Sequence, residues 1–174
     1  LNANFGSKVF VNDLGFLLNN EMDDFSSKPG SPNIYGLIGS EANAIEPEKR
    51  MLSSMSPTIL EKDNEPFLVV GSPGGSTIIT SVFQTIMNVT VFNMDIQSAV
   101  NAPRFHHQWL PDNIFLEKHD FSKNIIDSIM TMGHKIKERS NMGNVNAILI
   151  TKNIETGADN RGDNFGLELY VPYH

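Results

Sequence analysis

Phe67-Leu68-Val69-Val70-Gly71-Ser72-Pro73-Gly74-Gly75-Ser76-Thr77-Ile78-Ile79 is an apolar run that breaks at a glycine turn and resumes with helical spacing. The run between Pro66 and Gly71 reads as a strand. Across Lys62-Asp63-Asn64-Glu65-Pro66 it faces Thr58-Ile59-Leu60-Glu61, which predicts a β-hairpin. Beyond the glycines, Ile78, Ile79, Val82, Phe83, Ile86 and Met87 recur at helical spacing, so Ser76 is expected to cap a helix reaching about Val91. Paired glycines at such a helix start let successive backbone N–H groups point at one anion.

Working outward, residues 8–11 and 15–18 read as short strands around a turn at Asn12-Asp13. Residues 19–26 are polar and acidic. Residues 29–40 carry Pro29, Gly30, Pro32, Gly36 and Gly39 around Tyr35, a surface loop long enough for a lid. C-terminal to the helix, residues 96–100 predict a short helix before Pro103, and residues 114–117 a strand. Residues 122–132 predict a helix with Ser122 as N-cap and Gly133 just past its end. Strands follow at 145–151 and 167–171. Hairpins with helices grouped mid-chain favour a layered α+β architecture over alternating βαβ units, in one domain spanning 1–174.

Composition narrows the function. The 174 residues include 13 basic and 20 acidic ones, for a net charge of −7, and no Lys/Arg cluster. A nucleic-acid surface would need a basic patch, so that class is excluded. There is no cysteine, hence no disulfide and no thiolate metal site. No apolar run approaches the ~20 residues of a membrane span. The chain has no G-x-S-x-G elbow.

Several residues carry candidate chemistry. At the Gly74-Gly75 turn, backbone N–H groups and the helix N-terminus can form an oxyanion hole; the plain alternative is a helix-initiating turn. Ser53 and Ser54 offer adjacent hydroxyls for a carboxylate, or serve as turn and capping residues. Glu21, Asp23 and Asp24 can face an ammonium group, or form a solvated acidic loop. His106-His107 invites a metal, but adjacent histidines diverge and no i,i+4 partner supports a site, so packing and hydrogen bonding beside Trp109 is preferred. Asp159-Asn160-Arg161-Gly162-Asp163-Asn164 lacks a complete calcium-loop spacing and reads as a turn. Asn88-Val89-Thr90 fits a glycosylation triplet but falls on the expected helix.

Taken in order, these runs carry a family resemblance. Leu1-Asn2 with Phe5-Gly6-Ser7, the stretch Leu17-Leu18-Asn19-Asn20-Glu21-Met22-Asp23-Asp24-Phe25, and Leu52-Ser53-Ser54-Met55-Ser56-Pro57-Thr58 come first. Gly71-Ser72-Pro73-Gly74-Gly75-Ser76 and Ala102-Pro103-Arg104-Phe105-His106-His107-Gln108-Trp109-Leu110-Pro111-Asp112 follow. The set resembles the small, C-terminal subunit of γ-glutamyltranspeptidases. The likeness is dense to about Glu117 and thins beyond it.

The resemblance implies an N-terminal-nucleophile hydrolase fold, an αββα sandwich of two sheets between helical layers. It implies a self-cleaving precursor whose new N-terminal threonine is the nucleophile and whose α-amine is the base. The γ-glutamyl group of glutathione would pass to that threonine, then to water, an amino acid or a peptide. No cofactor or metal is implied. The partner is a large subunit from the same precursor, in the periplasm or outside the cell.

Carried over position by position, Asn2, Glu21 and Asp24 surround the donor's α-amino group. Ser53 and Ser54 hold its α-carboxylate with an arginine of the large subunit, Gly74 and Gly75 form the oxyanion hole, and Tyr35 lies in the lid. Family members carry Gln or Glu at position 21. The threonine is expected before Leu1, on a central strand, so a sheet lacking that strand should expose unpaired backbone. The tail from Asp159 departs from the family's usual short ending. Two other readings are a related acylase or poly-γ-glutamate-processing enzyme, and a silent glutamate-binding fragment.

Overall fold

The structure is a computed structural model describing residues 2–3, 5–118 and 120–168. The chain divides into two compact units, Leu1–Ser54 and Met55–His174.

In the first unit, β1 (Phe10–Val11) and β2 (Phe16–Leu17) pair antiparallel, Phe10 opposite Leu17. The strands are shorter than expected at the N-terminal side. Lys8 lies at φ 61°, a left-handed conformation that no strand residue adopts. A 3₁₀ turn, Glu21–Asp24, and a second, Glu41–Asn43, flank the Tyr35 loop. That loop closes on itself: Pro32 bridges to Ile38, and Asn33 Oδ1 accepts from the N–H groups of Tyr35 and Leu37 at 2.9 and 3.0 Å.

The second unit opens with the expected hairpin. β3 (Thr58–Lys62) pairs antiparallel with β4 (Glu65–Gly71). The connection is tighter than the sequence reading. Asp63 and Asn64, at φ 55° and 64°, form the whole loop, and a register shift at Leu60/Glu61 absorbs the difference. A 3₁₀ turn, Gly75–Thr77, precedes α1 (Ile78–Thr90). Ser76 therefore sits inside that turn rather than capping the helix, because Gly74 at φ 142° starts the coil earlier.

α2 (Ile96–Asn101) follows, capped by Asp95, whose carboxylate accepts from Ser98 N–H at 2.8 Å. Then come β5 (Phe105–His106), β6 (Ile114–Glu117), α3 (Lys123–Thr131), β7 (Ile136–Arg139), β8 (Asn146–Ile150) and β9 (Ile154–Ala158).

Two sheets result. One is antiparallel, ordered β3-β4-β8-β9; the other is ordered β5-β6-β7, with β6 and β7 parallel across α3. Among the described residues the chain thus shows one βαβ unit within a mostly antiparallel α+β layout. Among the described residues every neighbouring pair in the four-stranded sheet is hydrogen-bonded, and β3 and β9 are its open edges. At β9 the Thr156 N–H is already taken by Glu168 Oε1 at 3.2 Å. The expected strand at 167–171 is not seen at Leu167 and Glu168, and its remainder lies outside the described residues.

One face of the four-stranded sheet forms the core. Leu68, Val70, Ala147 and Leu149 pack under Ile78, Val82 and Val89 of α1 and Ile96, Ala99 and Val100 of α2. Each large apolar side chain buried this way contributes about 1.5–3 kcal/mol. Gly157 on β9 is where α2 crosses closest: a Cβ there would lie 2.9 Å from Ile96 O. The opposite face carries Ile59, Ile148 and Ile154, all exposed.

Candidate active site

Within the first unit, the 3₁₀ turn places Asp24 against the chain start. Asn2 Nδ2 donates to both Asp24 oxygens, at 2.8 and 2.9 Å. Ser54 Oγ donates to Asn2 Oδ1 at 3.4 Å. Asn2 is held from behind by its N–H to Asn20 Oδ1 at 3.0 Å. Asn43 anchors the turn, giving Nδ2 to Asp24 O at 2.8 Å and taking Leu52 N–H at 3.0 Å. Asn2, Asp24 and Ser54 are thus brought together, half-buried, with Glu21 on the same turn. Asp23 is exposed.

A carboxylate has about four acceptor positions. Asn2 leaves some open, so this corner can receive an ammonium group while Ser54 supplies a hydroxyl. Ser53, next along the chain, is exposed, and Tyr35 is half-exposed in its loop. Asn20 and Asn43 hold the geometry; Asn20 directly precedes the acidic run, whereas Asn43 lies in the second 3₁₀ turn and carries no sequence signal of its own.

Within the second unit, the glycine turn is strained in the manner only glycine tolerates. Gly74 is at φ 142° and Gly75 at φ 57°. Thr77 Oγ1 donates to Gly74 O at 2.8 Å, fixing the turn from the helix side. A Cβ on Gly74 would lie 2.6 Å from Thr77 Oγ1.

The two histidines diverge as expected. His106 is buried, with Nδ1 2.9 Å from Thr80 Oγ1 and Nε2 2.9 Å from Gln108 Oε1. Gln108 Nε2 donates to Leu110 O, so its oxygen faces His106. Burial holds the His106 imidazole below its usual range, with Arg139 and His107 pushing the same way against Gln108. His107 is at the surface, 3.2 Å from Asp112. Packing beside Trp109 is not found: the indole is 75 % exposed, and only its backbone N–H reaches His107 Nδ1, at 3.3 Å. Among the described residues no three His, Asp or Glu side chains are grouped to hold a metal ion.

A buried ionic network is the feature that sequence reading missed. Arg104 meets Asp159 at 2.7 Å, and Arg161 meets Asp159 at 3.0 Å and Glu117 at 2.5 Å. The residue run from Asp159 is a turn, as read, but Asp159 is wholly buried in it. Burial raises both carboxyls, yet the guanidinium groups and backbone N–H donors outweigh it and hold Glu117 and Asp159 below their usual range. Burial lowers Arg161, and its two carboxylates overcompensate. Burial and the neighbouring Arg161 leave Arg104 lowered. No spacing rule joins these four residues; they meet only because the segment entering β5, the end of β6 and the turn after β9 converge.

The α+β fold is of the N-terminal-nucleophile hydrolase kind. A cephalosporin acylase from Bacillus halodurans matches 92% of the chain at a TM-score of 0.76 and 25% identity, with 29% of that protein covered. Residues 1–168 match the family model described as gamma-glutamyltranspeptidase, and the chain belongs to that family. A Helicobacter pylori gamma-glutamyltranspeptidase variant superposes with a TM-score of 0.88 at 54% identity, covering 92% of this chain and 89% of that one. The glutathione hydrolase proenzyme of Escherichia coli is 50% identical over 150 residues, which is 86% of this chain and 26% of the proenzyme. The chain therefore spans about a quarter of that relative's length.

Proposed function

We propose that residues 1–174 act as one small-subunit portion of a self-cleaved γ-glutamyltransferase that hydrolyses or transfers the γ-glutamyl group of glutathione. The carrying observation is the Asn2–Asp24 pair with Ser54 beside it, an anion and a hydroxyl suited to the amino acid head of the donor. Asn2, Glu21 and Asp24 bind the α-ammonium, and Ser53 and Ser54 bind the α-carboxylate. The N–H groups of Gly74 and Gly75 stabilise the oxyanion as a threonine upstream of Leu1 attacks, its α-amine acting as base. Tyr35 covers the bound donor. Recognition of both charges rejects analogues lacking either, since a buried polar group would then be unpaired.

The large subunit of the same precursor is the partner, and the periplasm or cell exterior is the location. Among the described residues no helix is long and apolar enough to cross a membrane. The exposed Ile59, Ile148 and Ile154 face of the four-stranded sheet supports an αββα sandwich, because such a row is the surface a second sheet covers. The test is release of glutamate from glutathione by the full-length, self-processed protein. Release without any metal or organic cofactor is expected; no release overturns the reading.

A further inference from the structure

The Gly74 turn is backed by a segment far along the chain. Gly143, at φ 71°, lies against it: a Cβ on Gly74 would sit 3.1 Å from Gly143 Cα and 3.3 Å from its nitrogen. A Cβ on Gly143 would in turn sit 2.7 Å from Ser81 Oγ and 2.8 Å from Ser72 Oγ. Two backbones therefore meet where neither tolerates a side chain. Ser72 Oγ, which donates to Pro73 O at 2.7 Å, accepts from Asn144 N–H at 2.9 Å and stitches the segments together.

The ionic network grips this backing segment by its backbone. Met142 is buried; its N–H goes to Glu117 Oε1 at 2.8 Å and its carbonyl accepts from Arg104 Nη1 at 2.8 Å. Val145 N–H goes to Asp159 Oδ2 at 2.8 Å. Residues 142–145 are thus fixed by charged side chains on both sides of Gly143. Charged hydrogen bonds of this kind are roughly twice as strong as neutral ones and suit a part that must not yield.

We infer that Gly143 is a positioning residue for acyl transfer: clamped through Met142, its backbone sets where the Gly74 turn presents its N–H donors. This rests on the reading of Gly74 and Gly75 as the oxyanion hole. The charge that those donors stabilise exists only in the transition state, so a displaced turn slows acylation and leaves binding of the free amino acid unchanged.

The test compares wild type, Gly143→Ala and Ser72→Ala of the self-processed full-length protein. The readouts are kcat/KM for a γ-glutamyl anilide, per processed molecule, and Ki for L-glutamate, which forms no oxyanion. Gly143→Ala is expected to lower kcat/KM about 10- to 100-fold, with Ki unchanged. Ser72→Ala removes the stitch without adding an atom, lowers kcat/KM by a smaller factor at constant Ki, and decides the matter if Gly143→Ala does not fold. Wild-type kcat/KM in both variants, or a loss matched by a rise in Ki, overturns the inference and leaves the proposed function standing. A wild type that turns over no γ-glutamyl substrate overturns both.

Discussion

Arg161 meets Glu117 through two parallel hydrogen bonds, Nε to Oε1 at 2.8 Å and Nη2 to Oε2 at 2.5 Å. Both side chains are almost wholly buried. Removing one partner strands a charge away from water, so Arg161→Ala and Glu117→Ala should each destabilise the fold by about 3–5 kcal/mol. Arg161→Lys should recover only part of the loss, because an ammonium cannot reproduce the fork. Denaturant unfolding checks this; wild-type midpoints would contradict it.

Stability should fall on acidification in two stages. Burial holds His106 below its ordinary value near 6.5, so the unfolded chain takes up a proton that the folded one refuses, and stability drops below about pH 6.5. Glu117 and Asp159 titrate in the folded state below their unfolded values near 4. Their contribution is complete above about pH 4 and is lost as pH falls through the lowered folded values. Melting temperature followed from pH 8 downward should show both stages, and His106→Gln should remove the first.

Gly74→Ala should be poorly tolerated, since φ 142° disfavours any side chain and the new Cβ collides with Thr77 Oγ1. A strain of about 1–3 kcal/mol is expected, with loss of turnover. Thermal unfolding measures the first part; an unshifted melting temperature would contradict the backbone geometry.

Leu68→Ala should cost about 2–5 kcal/mol, because Leu68 is fully buried at the centre of the sheet and helix core. Ile59→Ala, on the exposed face of the same sheet, should cost far less in this chain alone. Denaturant midpoints of the two variants test which face is the core.

The hairpin, α1, α2, α3 and β8 were legible because apolar spacing is a local signal; the expected serine caps were not, since Ser76 lies inside the 3₁₀ turn and Ser122 precedes α3 without a side-chain capping bond. β7 was not: Ile136-Lys137-Glu138-Arg139 has one apolar residue and owes its place to the parallel pairing with β6. β9 was not, because Gly157 must be small where α2 crosses, and glycine argues against a strand. At the site, Asp24 and the glycine turn stood out, since charge clusters and paired glycines are visible in one dimension. Arg104, Glu117 and Arg161 did not. Each is an ordinary surface residue type, and only the folded chain shows that they share one buried network.

The most direct test of the proposed chemistry is γ-glutamyl anilide turnover by the self-processed full-length protein carrying Asp24→Ala. Loss of the carboxylate that Asn2 orients should raise KM steeply and lower kcat/KM about 100-fold or more. Near-normal kinetics would contradict the assignment of Asp24 to the donor's ammonium group.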